Sequence, residues 1–171
     1  MLRKSLAMTE KLTNGFAIAG GIIILVQMVW ISYGVFKRYI LGNPDAYVTE
    51  ATALLLFPVA FLGLAFALKE NAYPTVSYAV DALKGRPKKW LIAFNLLCML
   101  GIGVFFSITS VEASFKAYAS GSASEILLWP RYLFWIPCAM SFVLFTWYAF
   151  LRLIAVVVEP IAQPLASDRE S

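Results

Sequence analysis

Charge along this chain is confined to the borders of four long apolar runs. Residues 12–36, 51–68, 90–111 and 132–151 contain no Asp, Glu, Lys or Arg, over lengths of 25, 18, 22 and 20 residues. A helix rises about 1.5 Å per residue, so roughly 20 residues cross a hydrocarbon core about 30 Å thick. Inside lipid every backbone N–H and C=O must be satisfied within its own segment, which makes each run a helix. The pattern predicts an all-α integral membrane protein with four transmembrane helices. Expected spans are about 13–38, 46–69, 90–115 and 131–156, within one membrane domain of residues 13–158. An N-terminal interfacial segment (1–12) precedes it and a flexible cytoplasmic tail (159–171) follows. The first run is too long for a signal-peptide core and lacks a small-residue cleavage site before Lys37 and Arg38, so it reads as a retained helix.

Between the runs the chain carries turn and interface chemistry. Residues 1–13 are amphipathic, with Leu2, Leu6 and Leu12 apart from Arg3, Lys4 and Lys11; they read either as an interfacial helix or as a frayed polar lead-in. Asn43-Pro44-Asp45 is turn chemistry, and Asp45 is placed to cap a second helix that starts early enough to hold Glu50 in its second turn. Val76, Ala79, Val80 and Leu83 fall at i, i+3, i+4, i+7 between Pro74 and Gly85, which predicts a short amphipathic helix on the membrane surface. Lys84, Arg86, Lys88 and Lys89 then meet phospholipid headgroups, and Arg152 snorkels to the same interface. Ser122 and Glu125 have capping-box spacing.

Within the spans, polar and small residues predict helix contacts. Gln27 reads as a helix–helix hydrogen bond rather than a substrate ligand. Gly15/Ala19 and Ala17/Gly21 are small pairs suited to close packing, and Ala60, Gly63 and Ala67 form a similar face. Pro58, mid-span, is expected to kink the second helix, and Pro137 lies near the outer third of the fourth. Gly103, Ser107, Ser110 and Ser114 form one stripe, read first as a packing seam and second as a polar pathway. The third helix, without a strong breaker before Gly121, is expected to project past the membrane from Glu112 to Ala119. Trp129, Trp135 and Trp147 suit the interfacial aromatic belts.

Composition narrows the function classes. The chain has 171 residues, of which 61% are hydrophobic and 14% charged, against about 25% charged in a soluble domain. The absence of histidine removes bis-histidine haem, histidine-based zinc or copper sites and a His general base. Cys98 and Cys138 lie in separate runs and read as buried small hydrophobes. No nucleophile elbow, zinc-protease helix, phosphate loop or dinucleotide motif is present, so no catalytic residue, cofactor or metal is expected. The +4 net charge sets topology and does not signal nucleic acid. With the N-terminus inside, ten Lys and Arg lie on the cytoplasmic side and four (Lys37, Arg38, Lys116, Arg131) outside, which predicts both termini in the cytoplasm. The spans carry no acid or lysine away from their ends, which is thin equipment for ion coupling within one small chain.

Three segments, in order, resemble the small (Q, DctQ-like) four-helix membrane subunit of tripartite ATP-independent periplasmic (TRAP) transporters. In residues 36–50 the matching positions are Phe36, Arg38, Tyr39, Pro44, Tyr47 and Glu50. Residues 61–76 are similar to a Phe-Leu-Gly segment ending in Lys-Glu-Asn-Ala, with Gly63 inside it. Residues 124–137 are similar to the Ser…Pro…Tyr…Pro start of the last helix, ending at Pro137. Tyr47 and Tyr73 stand where family members often have Trp and His. The resemblance implies a large polytopic membrane subunit carrying the substrate and sodium sites, a periplasmic substrate-binding protein, an organic acid as cargo and a bacterial inner-membrane location. The small subunit would pack on the large one's scaffold, with Arg38, Tyr39, Pro44, Tyr47, Glu50, Gly63, Gly103, Ser107 and Pro137 as interface or structural candidates. Arg38 and Glu50 either pair across the first hairpin, or Arg38 reaches the large subunit, or both act locally at the interface. The alternative function is a self-contained four-helix transporter or channel acting as a homo-oligomer; a membrane enzyme is the third and weakest reading.

Overall fold

The computed structural model describes residues 2–73 and 86–158. Five helices follow in order: α1 (Leu2–Tyr39), α2 (Ala46–Leu62), α3 (Leu64–Lys69), α4 (Arg86–Ala119) and α5 (Tyr132–Val158). Helices α2 and α3 form one span interrupted at Gly63, so four helical stretches among the described residues are long and apolar enough to cross a membrane. The expected surface helix around 76–83, Lys84 and the tail 159–171 lie outside the described residues.

Helix α1 runs without a break from Leu2 to Tyr39. It is held by packing: Leu6 lies against the core, and Thr9 and Thr13 are buried while returning their hydroxyls to the carbonyls of Ser5 and Thr9. One line of small and polar residues, Thr13, Gly20, Gln27 and Gly34, repeats every seven positions along α1. A period of seven keeps one seam of a helix against its neighbour. Gly20 meets Leu62, Gln27 donates to the Thr52 carbonyl at 3.0 Å, and Gly34 admits Val48. The pairs Gly15/Ala19 and Ala17/Gly21 do not make this contact: Gly15 and Gly21 have open space where a Cβ would stand.

Helix α5 is the hub, packing against each of the other four. Its Phe145, Tyr148 and Ala149 form the buried core with Ala65, Leu68 and Leu96. Phe142 sits between Phe61 and Phe106 at ring separations of 5.0 and 5.2 Å. Lipid supplies little hydrophobic drive between helices, so this fit and the hydrogen bonds across it hold the bundle. Among the described helices, α4 packs against α5.

The break in the second span falls at Gly63, five residues after Pro58, and not at the proline itself. Helix irregularity at membrane depth needs polar partners. The Ser141 hydroxyl donates to the Phe61 carbonyl and supplies one. Gly63 serves as this hinge and has no close neighbour, and Ala60 is exposed; the buried line of the span is Ala51, Pro58, Leu62 and Ala65. Helix α3 ends in a Schellman turn, with Asn71 at φ 52° and the Ala72 N–H reaching the Ala67 carbonyl at 2.8 Å. Helix α5 runs through Pro137 without interruption.

Candidate functional site: two polar ends and a seam

At one end of the bundle, the turn after α1 faces the loop between α4 and α5. Gly42, at φ +62°, reverses the chain after α1. Lys37 Nζ then pairs with Asp45 at 2.6 Å, while the other Asp45 oxygen caps α2 by accepting the Tyr47 N–H at 3.0 Å. The cap and the early start of α2 are as expected from the sequence. The hydrogen bond from Lys37, then that from Tyr47, holds the Asp45 carboxyl below its ordinary value.

Glu50 projects from the second turn of α2 into the loop 120–131. Its carboxylate accepts the backbone N–H groups of Glu125 at 2.7 Å, Ile126 at 3.0 and 3.1 Å and Leu127 at 2.6 Å. Successive N–H groups turned toward one anion make a backbone nest. The loop is shaped for it: Ser124 and Trp129 exchange two hydrogen bonds, and Leu128 adopts φ 54°. Ser122 and Glu125 therefore do not form a capping box; no helix begins until Tyr132. Nor does Glu50 pair with Arg38, which is exposed with its guanidinium 6.0 Å from the centre of the Tyr39 ring. Tyr39, Pro44 and Tyr47 are exposed at the same end.

At the opposite end, charges tie the end of α3 to α1 and α5. Arg152 donates to the Leu68 carbonyl and to Asn71 Oδ1, both at 2.8 Å. Lys69 reaches Asn14 at 2.9 Å and Glu70 at 3.3 Å, and Tyr148 meets Glu10 at 3.4 Å. Tyr73 donates to the Leu64 carbonyl at 3.0 Å, and burial pushes its phenol above the ordinary value. Arg152 is thus turned onto a helix end of its own chain. Lys89 donates to the Val157 carbonyl at 3.1 Å, Lys88 is half-buried, and Arg86 opens α4.

The third feature is the α4–α5 seam. A Cβ on Gly103 would stand 2.7 Å from Thr146 Oγ1 and 3.0 Å from Phe145. Ser107 and Thr146 share a hydrogen bond of 2.9 Å, and buried Ser110 faces the Cys138 thiol. This is the packing reading of the serine stripe. Cys138 is buried, whereas Cys98 is exposed on α4, because α5 covers only one side of that helix. Among the described residues no group of three potential metal ligands converges.

The Glu50 nest, the Arg152 cap and the seven-residue line on α1 were hidden from sequence reading. Only the last has a local signal, its repeat. No curated protein and no solved structure matches the chain. The family of tripartite ATP-independent periplasmic transporters, DctQ component, matches residues 27–159, a stretch that contains the Glu50 nest, the α4–α5 seam and Arg152. The chain belongs to that family, the small membrane component of TRAP transporters.

Proposed function

We propose that this chain is a stabilising scaffold subunit, packed on the large membrane component of a sodium-driven, binding-protein-dependent uptake system for an organic acid. One observation carries the reading: the polar side chains inside the bundle are used on the chain's own helices, while large apolar faces of α1 and α4 stay bare. Gln27, Ser107 and Ser141 each bond another helix of the chain, and buried Ser110 faces Cys138 on α5. Ile18, Ile22, Leu25 and Val29 of α1 and Phe94, Leu97, Phe105 and Ile108 of α4 are exposed. A pathway for an ion needs polar groups facing a cavity at depth; a scaffold needs a rigid bundle and broad apolar contact. In this reading the domain is residues 13–158, it sits in the bacterial inner membrane, and both termini are cytoplasmic, as the ten-to-four distribution of cations favours. The candidates Arg38, Tyr39, Pro44 and Tyr47 then lie on the periplasmic side, where the binding protein docks.

Purification of the tagged chain from membranes in mild detergent tests this. The expected result is a large polytopic partner near 1:1, with uptake in vesicles requiring both chains and the binding protein. A homo-oligomer that transports alone overturns it.

A further inference from the structure

Helix α4 carries an ion pair at a depth where the other spans are apolar. Its register on α5 is fixed along its length. Lys89 bonds the Val157 carbonyl, Phe106 stacks on Phe142, Ser110 faces Cys138 and Tyr118 meets Tyr132 at 5.4 Å. Interpolated between the last two contacts, Glu112 lies opposite about residue 136 of α5, roughly 8 Å inside Arg131 at 1.5 Å per residue. The neighbouring Trp135 packs on Phe57 at 4.7 Å, which lies seven residues inside Glu50 on α2. On α1 the same level falls between Gly20 and Gln27, whose partners Leu62 and Thr52 flank Phe57. The end of α4 therefore does not project past the bundle; it runs beside the apolar start of α5.

Glu112 and Lys116 pair at 2.8 Å, yet their side chains remain 60% and 75% exposed. Facing water, such a pair is unremarkable. At hydrocarbon depth, charged side chains face a bundle interior or meet polar partners. Lys116 lies one turn nearer the interface and can snorkel; the shorter Glu112 cannot. Beside the pair, Val111, Phe115 and Tyr118 with Ile136 and Met140 line an apolar groove of about 680 Å³.

We infer that the face of α4 from Glu112 to Tyr118 is covered by a polytopic membrane chain that presents hydrogen-bonding or charged side chains to the Glu112–Lys116 pair. The inference rests on the subunit reading above and adds where the contact lies. Lipid tails can fill the groove but offer the Glu112–Lys116 pair no polar partner.

Photo-crosslinking in the membranes of the native cell tests it. Benzoylphenylalanine is placed at position 112 or 115 of the full chain, and separately at 22 or 29 on the bare flank of α1. Positions 112 and 115 should give adducts with a polytopic chain identified by mass spectrometry as the large component of a tripartite transporter, in higher yield than positions 22 and 29. Adducts with that chain from 22 and 29 in equal or greater yield overturn the α4 surface and leave the subunit reading standing. Adducts only between copies of this chain, or none with any protein at all four positions, overturn both.

Discussion

The carboxylate of Glu50 and the backbone N–H of Leu127, 77 positions apart in sequence, are joined at 2.6 Å. With Glu125 and Ile126 sharing the same two oxygens, one side chain fixes the loop that leads into α5. Glu50→Gln should fail almost as badly as Glu50→Ala, because the carboxamide turns an N–H donor toward N–H donors. Amide exchange at residues 125–127 should rise on the order of tenfold in either variant. Arg38→Ala should leave that exchange unchanged, and reversing both charges should not restore it. Recovery in the double reversal would show that Glu50 answers to Arg38 instead.

The spans and the Asp45 cap were legible in the sequence because their causes are local: a run without charge, and an acid one residue before a helix. The Glu50 nest was not legible, since its donors are backbone amides that carry no residue signature. The Ser122–Glu125 spacing misled for the same reason; a capping motif means nothing without a helix after it. On α1 the glycines at 15 and 21 resemble packing residues as much as Gly20 does, and only the repeat through Thr13, Gln27 and Gly34 separates them. The depth of Glu112 follows from how α4 slides on α5, a relation between two helices that neither contains.

Acid should loosen the first hairpin through Asp45. Its carboxyl is held below the ordinary value by Lys37 and by the Tyr47 N–H. A carboxyl whose folded value is depressed contributes stability that is fully present above its unfolded value. That contribution is lost as pH falls through the folded one. Thermal unfolding in detergent should therefore show stability falling on the acid side of the usual carboxylate range. Asp45→Asn should remove this part of the slope while keeping a capping oxygen for Tyr47. An unchanged slope in the variant would assign the acid sensitivity to another carboxylate.

The α4–α5 seam predicts a contrast between two neighbouring glycines. Gly103→Ala drives a methyl toward Thr146 and Phe145, whereas a Cβ on Gly101 meets nothing within 4 Å. The first should destabilise the bundle by about 1–3 kcal/mol, the range for overpacking a fitted contact. The second should be neutral or slightly stabilising, since alanine favours helix. Because Ser107 hydrogen-bonds the same Thr146, Gly103→Ala and Ser107→Ala should be non-additive in a double-mutant cycle. Equal melting shifts for the two glycine variants would remove the seam as the reason for Gly103.

Arg152 separates a structural cap from a lipid contact. Its guanidinium satisfies the Leu68 carbonyl and the Asn71 side chain at once, closing the end of the interrupted span. Arg152→Ala leaves the Leu68 carbonyl with the backbone N–H groups of the turn, Glu70 and, at 3.3 Å, Asn71, and should cost about 1–3 kcal/mol. Arg152→Lys keeps the charge, but both bonds leave one nitrogen, Nη1, at the tip of a longer side chain, and the shorter lysine should recover only part of the loss. A headgroup role predicts otherwise: lysine would replace arginine fully, and the loss would vanish in vesicles without anionic lipid. Unfolding the three proteins in neutral and anionic vesicles decides between them. A deficit in Arg152→Lys that persists in neutral lipid places the work of this residue on Leu68 and Asn71.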